Sequence, residues 1–264
     1  MALGAGGVTQ PDGIFTLADV APGTYTLEAS IKTDNSPMAE SAVMPISVYG
    51  DDISGLTIVT ARPGTMRGLI VADTGVTRRL PAAIDVSARP IRFGADSAYT
   101  SSERNAFELI APPSPFRLTA DPVDGWMVKA IVANGIDVTD SPIDLKGQQG
   151  APVRIVLTDR VTEVSGVAAA GQPGRTPTIV VFPDDHAKRA QPSRYIRTVE
   201  AAVDGTFRIV GLPAGERYLA VAVDDLEDGE GDDPDFLARV KGQATPIALA
   251  EGEKIALELT VIQR

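Results

Sequence analysis

The side chains able to do chemistry are few and widely spaced. His186 is the only histidine and there is no cysteine, whereas zinc hydrolases draw on two or more imidazole or thiolate ligands. The loop Asp184-Asp185-His186-Ala187-Lys188-Arg189 could offer a general base, yet the chain contains no Gly-x-Ser-x-Gly elbow to present a nucleophile. His186 therefore reads as a loop residue. Asp73-Thr74-Gly75 follows Leu69-Ile70-Val71 in the manner of an aspartic-protease triplet. That chemistry needs two carboxylates sharing a proton, and no second triplet exists. At a turn, Asp and Gly are ordinary residues. No catalytic residue and no enzymatic activity are expected.

The densest cluster of oxygen donors is the acidic run at 224–235. Hard carboxylate oxygens suit Ca²⁺, and Asp224, Asp228, Asp232 and Asp235 form the candidate set. An EF-hand loop begun at Asp224 would place Leu226 at its third position and Asp235, in place of Glu, at its twelfth, which breaks the pattern. A solvated acidic loop is the competing reading, and no other cofactor is implied. Sugar binding needs an exposed aromatic platform, for which Tyr49, Phe93, Tyr99, Trp126 and Tyr195 are available. Trp126 shares a face with Val128 and Ala130 and so belongs to a core. Tyr99 and Tyr195 remain as carbohydrate candidates, both expected to be exposed. The net charge of −11 argues against a phosphate-binding surface, so no nucleic-acid partner is expected. No apolar run approaches the roughly 18 to 20 residues of a membrane helix, so no membrane insertion is expected.

Whatever these groups do, strands must position them. The stretch Asp204-Gly205-Thr206-Phe207-Arg208-Ile209, Val210-Gly211-Leu212-Pro213-Ala214-Gly215 and Glu216-Arg217-Tyr218-Leu219-Ala220-Val221-Ala222 alternates polar and apolar residues on both sides of a Pro/Gly break. It reads as two antiparallel strands in a hairpin. The unit recurs as Asp12-Gly13-Ile14-Phe15-Thr16-Leu17, Pro22-Gly23 and Tyr25-Thr26-Leu27-Glu28-Ala29, where Pro22-Gly23 fits a type II turn. A worn copy runs Asn105-Ala106-Phe107-Glu108-Leu109, Pro112-Pro113 and Phe116-Arg117-Leu118. Phe15, Phe107 and Phe207 stand 92 and 100 residues apart, about one small β-sandwich each. With 25 Gly, 20 Pro and 44% hydrophobic residues, the expected class is all-β: tandem sandwiches with one helical turn near 235–240.

Three modules follow, at 1–61, 62–160 and 161–264. Each ends in an alternating strand: Leu56-Thr57-Ile58-Val59, Val153-Arg154-Ile155-Val156-Leu157, and Ile255-Ala256-Leu257-Glu258-Leu259-Thr260-Val261. From the opening glycine to the motif Phe takes 39 residues from Gly68 and 41 from Gly166, yet only 14 residues precede Phe15. The first module thus lacks its opening strands. The expectation is a piece of a longer protein with further modules on its amino-terminal side, or a partner strand that completes the sandwich.

The quoted pattern, Asp-Gly-x-Phe-x-Leu/Ile followed by Pro/Gly and Tyr-x-Leu/Ala, resembles the carboxypeptidase regulatory-like domain, a prealbumin-like (transthyretin-like) β-sandwich. The likeness lies in residues 11–29 and 203–222, with a fainter copy at 99–120. It implies a non-catalytic structural or interaction segment of a larger exported bacterial protein, in an extracellular, periplasmic or cell-surface setting. Two other roles come with the resemblance: a carbohydrate-binding module, or an accessory region of an enzyme or outer-membrane transporter lying outside this chain. It carries no catalytic residues across. A Lys–Asn isopeptide, known in related pilin-type modules, is not expected in the third module, whose opening strand has no Lys and whose closing strand has no Asn.

Overall fold

The computed structural model describes residues 6–31, 40–91, 97–123, 125–145, 149–169, 176–190, 193–224 and 226–262. The protein is all-β. Strands β1 (Gly23–Ile31) and β2 (Glu40–Val48) form an antiparallel pair. Next come β3 (Gly64–Ala72), β4 (Asp85–Pro90), β5 (Ala98–Ser101), β6 (Ala106–Ala111), β7 (Phe116–Asp121), β8 (Met127–Ala133), β9 (Ile136–Asp137) and β10 (Val153–Thr158). A five-stranded sheet in the order β6-β3-β10-β8-β9 faces a three-stranded sheet β5-β4-β7. Strict alternation sends Phe107, Leu109 and Ala111 of β6 inward, where they meet Met66, Val86, Phe116, Leu118, Ile131 and Ile155 in one buried core. Trp126 is buried in that core, as its spacing implied.

The carboxy-terminal part repeats the plan with β11 (Glu163–Ala169), β12 (Thr178–Pro183), β13 (Arg197–Glu200), β14 (Thr206–Val210), β15 (Glu216–Val223), β16 (Thr245–Leu249) and β17 (Lys254–Ile262). Here β14-β11-β17 faces β13-β12-β15-β16, and the two layers join where the end of β17 runs beside β15. The antiparallel strand that precedes the closing strand changes sides between the copies: β8 pairs with β10, but β16 pairs with β15. Both faces of β12 and β15 are covered. Tyr218 and Ile179 point into the sandwich, while Val180, Phe182, Leu219 and Val221 pack outward against Phe236, Leu237 and Val240 of a helix, α1 (Pro234–Val240). Asp233 caps α1 by accepting from the Asp235 amide at 2.7 Å, and Pro234 occupies its first turn.

The expected hairpins are corrected by the pairing. β14 bonds to β11 and β15 to β12, so the two halves of the 204–222 unit lie in opposite layers. β6 and β7 are divided in the same way, between β3 and β4. Alternation fixes which side chains point inward but is silent on which neighbour supplies the hydrogen bonds. The connection at 211–215 is therefore an arch over the sandwich end. Gly211 and Gly215 take φ of 77° and 82°, Leu212 is buried, and the Tyr218 hydroxyl donates to the Pro213 carbonyl at 2.7 Å. Tyr25 makes the equivalent bond to the Ala21 carbonyl at 2.8 Å. The preceding turns also match: Asp12 and Asp204 each accept an amide two residues on, at 3.1 and 3.0 Å. Gly23, in contrast, is simply the first residue of β1 without a positive φ, so the type II turn is not formed.

Residues 6–61 do not make a closed sandwich. No described residue in this span is buried; Phe15, Leu17, Tyr25 and Leu27, which their alternation alone would put on one inward face as core, are half-exposed. Neither 14–17 nor 56–59 is a strand. The reason lies in the other two copies, where β6 and β10 flank β3, and β14 and β17 flank β11. Among the described residues nothing occupies that central place between 14–17 and 56–59, and an extended segment with no partner for its main-chain groups forms no ladder.

Candidate functional site

Tyr195 is the predicted site residue whose surroundings differ most from expectation. It is 8% exposed, and its hydroxyl donates to Asp140 Oδ2 at 2.6 Å. Asp140 lies in the turn after β9, on the preceding sandwich. Arg194 grips the same carboxylate with two bonds, Nε to Oδ1 at 2.8 Å and Nη2 to Oδ2 at 3.0 Å, a fork geometry that only guanidinium supplies. Burial pulls the Asp140 carboxyl upward, but the hydrogen bonds from Arg194 and then Tyr195 outweigh it and hold the group below its ordinary value. Burial, reinforced by the bond to Asp140, pushes the Tyr195 phenol up to about 12. The Arg194 guanidinium lies 5.1 Å from the Tyr195 ring centroid and the Lys188 ammonium 5.3 Å from it, and the ring is packed into the core of the last sandwich, so it offers no platform to a sugar. Tyr195 is thus corrected from exposed platform to junction anchor.

A second set of charges bridges the same two sandwiches. Asp73, at the turn after β3, pairs with Lys129 at 2.8 Å and with Arg160. Lys129 and Arg160 also reach Glu251, in the turn between β16 and β17, at 2.5 and 3.0 Å. The hydrogen bond from Lys129, with help from Arg160, draws the Asp73 carboxyl down against burial, so the would-be protease carboxylate is an ionised structural partner. The Gly252 amide donates to the Arg160 carbonyl at 3.1 Å beside it. Spacing in the sequence could not reveal either cluster: Tyr195 and Asp140 meet only where one sandwich packs on the next, while Asp73 and Arg160 meet through the parallel pairing of β3 with β10.

The other candidates do not converge. His186 is exposed at the start of a single 3-10 turn, His186–Arg189, whose first amides are capped by Asp185. Arg189 of that turn is buried, donating to the Pro183 carbonyl at 2.9 Å. In the acidic loop, Asp228, Asp232 and Asp235 are exposed and Asp224 is half-buried. Glu230 pairs with Arg239 of α1 at 3.2 Å. Among the described residues no three His, Asp or Glu side chains are grouped as metal ligands. Phe93 lies outside the described residues. Tyr99 is 71% exposed on β5. A shallow groove of about 1160 Å³ has walls that include Arg67, Thr100, Ser101, Arg104, Asn134 and Arg154, and Tyr99 is not among its lining residues.

No protein-family model matches the chain, and no curated protein sequence matches it. Solved structures do. The Bacillus anthracis TIE protein aligns over 97% of this chain and 44% of its own length, at 12% identity and a TM-score of 0.25. A streptococcal ancillary pilin aligns over 94% of this chain and 76% of its own, at 14% identity and a TM-score of 0.26. A variant of the shaft pilin of Lactobacillus rhamnosus GG aligns over 74% of this chain and 97% of its own, at 8% identity and a TM-score of 0.29. The chain spans less than half the length of the Bacillus anthracis protein. No described helix is long and apolar enough to cross a membrane.

Proposed function

We propose that this chain is a non-catalytic structural and interaction segment of a larger exported bacterial protein, working at the cell surface, outside the cell or in the periplasm. In this reading it is built of carboxypeptidase regulatory-like repeats, divided at 1–61, 62–160 and 161–264. The observation that carries the proposal is the junction. Of the side chains that first suggested chemistry, Tyr195 is spent on holding one sandwich against the next, and Asp73 holds Lys129 and Arg160, which reach across to Glu251. Two separate clusters at one junction resist bending about either of them, which suits a segment that transmits position or load. Small-angle scattering of the wild type and of an Asp140→Ala, Arg160→Ala double variant tests this. A broadened distribution of particle lengths in the variant is expected; identical profiles would count against a stiff spacer.

The carbohydrate reading keeps one supporting observation, the exposure of Tyr99 on β5. Glycan-array binding that is lost in Tyr99→Ala and retained in Tyr195→Phe would favour it.

A further inference from the structure

We propose that the outer face of the second sandwich's five-stranded sheet holds an extended acidic segment of a partner protein, with the pattern acid-x-apolar-x-acid, in the groove between the 103–106 turn and the Asn134-Gly135 turn. The floor of that groove is a row of side chains on four neighbouring strands. Ala106 stands opposite Leu69, Leu69 opposite Arg154, and Arg154 opposite Val132. At about 4.8 Å between strands the row is about 14 Å long. Within it Leu69 is 51% exposed, an apolar side chain outside the core of its own sandwich.

Three arginines meet two glutamates in the groove, on a chain of net charge −11. Arg67 forks onto Glu108 at 3.1 and 3.2 Å. Arg104 and Arg154 are exposed and, among the described residues, have no ion-pair partner. Arg104 is also held at a cost. It and Asn105 take φ of 49° and 64°, in a two-residue turn closed by main-chain bonds between Glu103 and Ala106 at 2.8 and 2.9 Å. Left-handed backbone is unfavourable for a residue with a Cβ, so an arginine kept there points to a use for its side chain.

The last sandwich supplies an internal comparison. Gly68 stands opposite Phe107 as Gly166 stands opposite Phe207, which makes Asp204 the counterpart of Arg104 and Glu258 the counterpart of Arg154. Both unpaired cations of the groove are therefore acids in the copy. The copy's turn is also unstrained, because its positive φ of 81° falls on Gly205. The far wall differs too: β8 extends the second sheet beyond β10 and carries Asn134-Gly135, whereas its counterpart β16 joins the other layer. The two sandwiches share a plan and depart from it at the places that make the groove.

These features define the occupant. Carboxylates suit Arg104 and Arg154, since a guanidinium can take one through two parallel N–H groups. In an extended chain the side chains of one face recur about every 7 Å, so an apolar residue resting on Leu69 falls between two acidic ones. Thr100, Ser101 and Asn134 line the walls and can serve the main chain of the segment. A glycan is less well served, because the aromatic residue lining the groove, Phe107, is only 5% exposed.

The inference rests on the interaction reading above and names the partner's chemistry. The two fail separately, since the groove lies at the start of β10 and the junction beyond its end, at Arg160. The test titrates the full isotope-labelled chain, at low ionic strength, with a blocked synthetic pentapeptide that has glutamate at both ends, leucine in the middle and threonine between. Amide chemical shifts are the readout. Saturable shifts are expected at Leu69, Arg104, Asn134 and Arg154, and none at the counterparts Val167, Asp204 and Glu258. Arg154→Glu in the chain, or glutamine for both glutamates in the peptide, should weaken binding at least about tenfold. Arg104→Gly should weaken it about three- to fivefold while raising the melting temperature, because glycine accepts the left-handed backbone without strain. Four results would overturn the proposal: no shifts at millimolar peptide; equal binding by the glutamine peptide or by Arg104→Gly; tighter binding of a uronic-acid trisaccharide at the same amides, which would assign the groove to an acidic glycan; or a doubling of mass with concentration that Arg154→Glu abolishes, which would assign it to a second copy of the chain.

Discussion

Replacing Tyr195 by Phe removes one oxygen from the junction and keeps a ring that is only 8% exposed. A hydrogen bond to a charged group contributes roughly 1.5–3 kcal/mol net. The Asp140 side chain is 40% exposed and retains both bonds from Arg194, so water can replace the lost donor and the expected cost falls below that range, at about 1 kcal/mol. Asp140→Ala takes the carboxylate from the buried Tyr195 hydroxyl and the half-buried Arg194 guanidinium together, for about 2–3 kcal/mol. If the hydroxyl acts only through Asp140, Tyr195→Phe adds nothing in the Asp140→Ala background, and the coupling energy equals the single-variant cost of about 1 kcal/mol. Urea unfolding measures this with two probes. Trp126, the only tryptophan, reports the sandwich that carries Asp140, while circular dichroism reports all the strands. The transitions should coincide more closely in the wild type than in Asp140→Ala, where the junction is broken. A neutral Tyr195→Phe, or one whose cost survives in the Asp140→Ala background, would refute the assignment of Tyr195 as a junction anchor.

Other expectations follow from the same contacts. Phe207→Ala empties the core of the last sandwich at a cost of about 3–5 kcal/mol, lowering the circular-dichroism transition while leaving most of the Trp126 signal in place. Gly166→Ala drives a methyl into the Leu257 main chain, and overpacking of about 1–3 kcal/mol or more should appear as loss of the same transition. Asp73 and Asp140 titrate lower in the folded chain than unfolded. Their stabilisation is complete above the ordinary Asp value of about 3.9 and is lost as pH falls through the folded values. Melting temperature should therefore hold down to about pH 4 and drop below it, less steeply in Asp140→Asn. Isothermal calorimetry at millimolar calcium should give no binding heat from the 224–235 loop, and a saturable signal abolished by Asp228→Asn with Asp232→Asn would restore the metal reading.

Alternation and turn chemistry were enough to place the strands that became β6, β10, β14 and β17 and the helical turn near 235–240, because these depend on neighbours within a few positions. Pairing was a different matter. The 204–222 unit looks like a hairpin, yet its halves bond to β11 and β12, since a strand's side-chain period of two is the same whichever partner lies beside it. The candidate sites divided in the same way. Trp126 could be assigned to a core from its own face. Tyr195 could not, because it packs into the core of its own sandwich and its hydroxyl reaches Asp140 across a junction that no local pattern encodes. The first sandwich makes the point from the other side: Phe15 and Leu17 carry the same pattern as Phe207 and Ile209 but remain half-exposed. Local sequence sets which way a side chain points. Whether water is excluded from it depends on a second layer and a central strand being present, and that is a property of the assembled sheets alone.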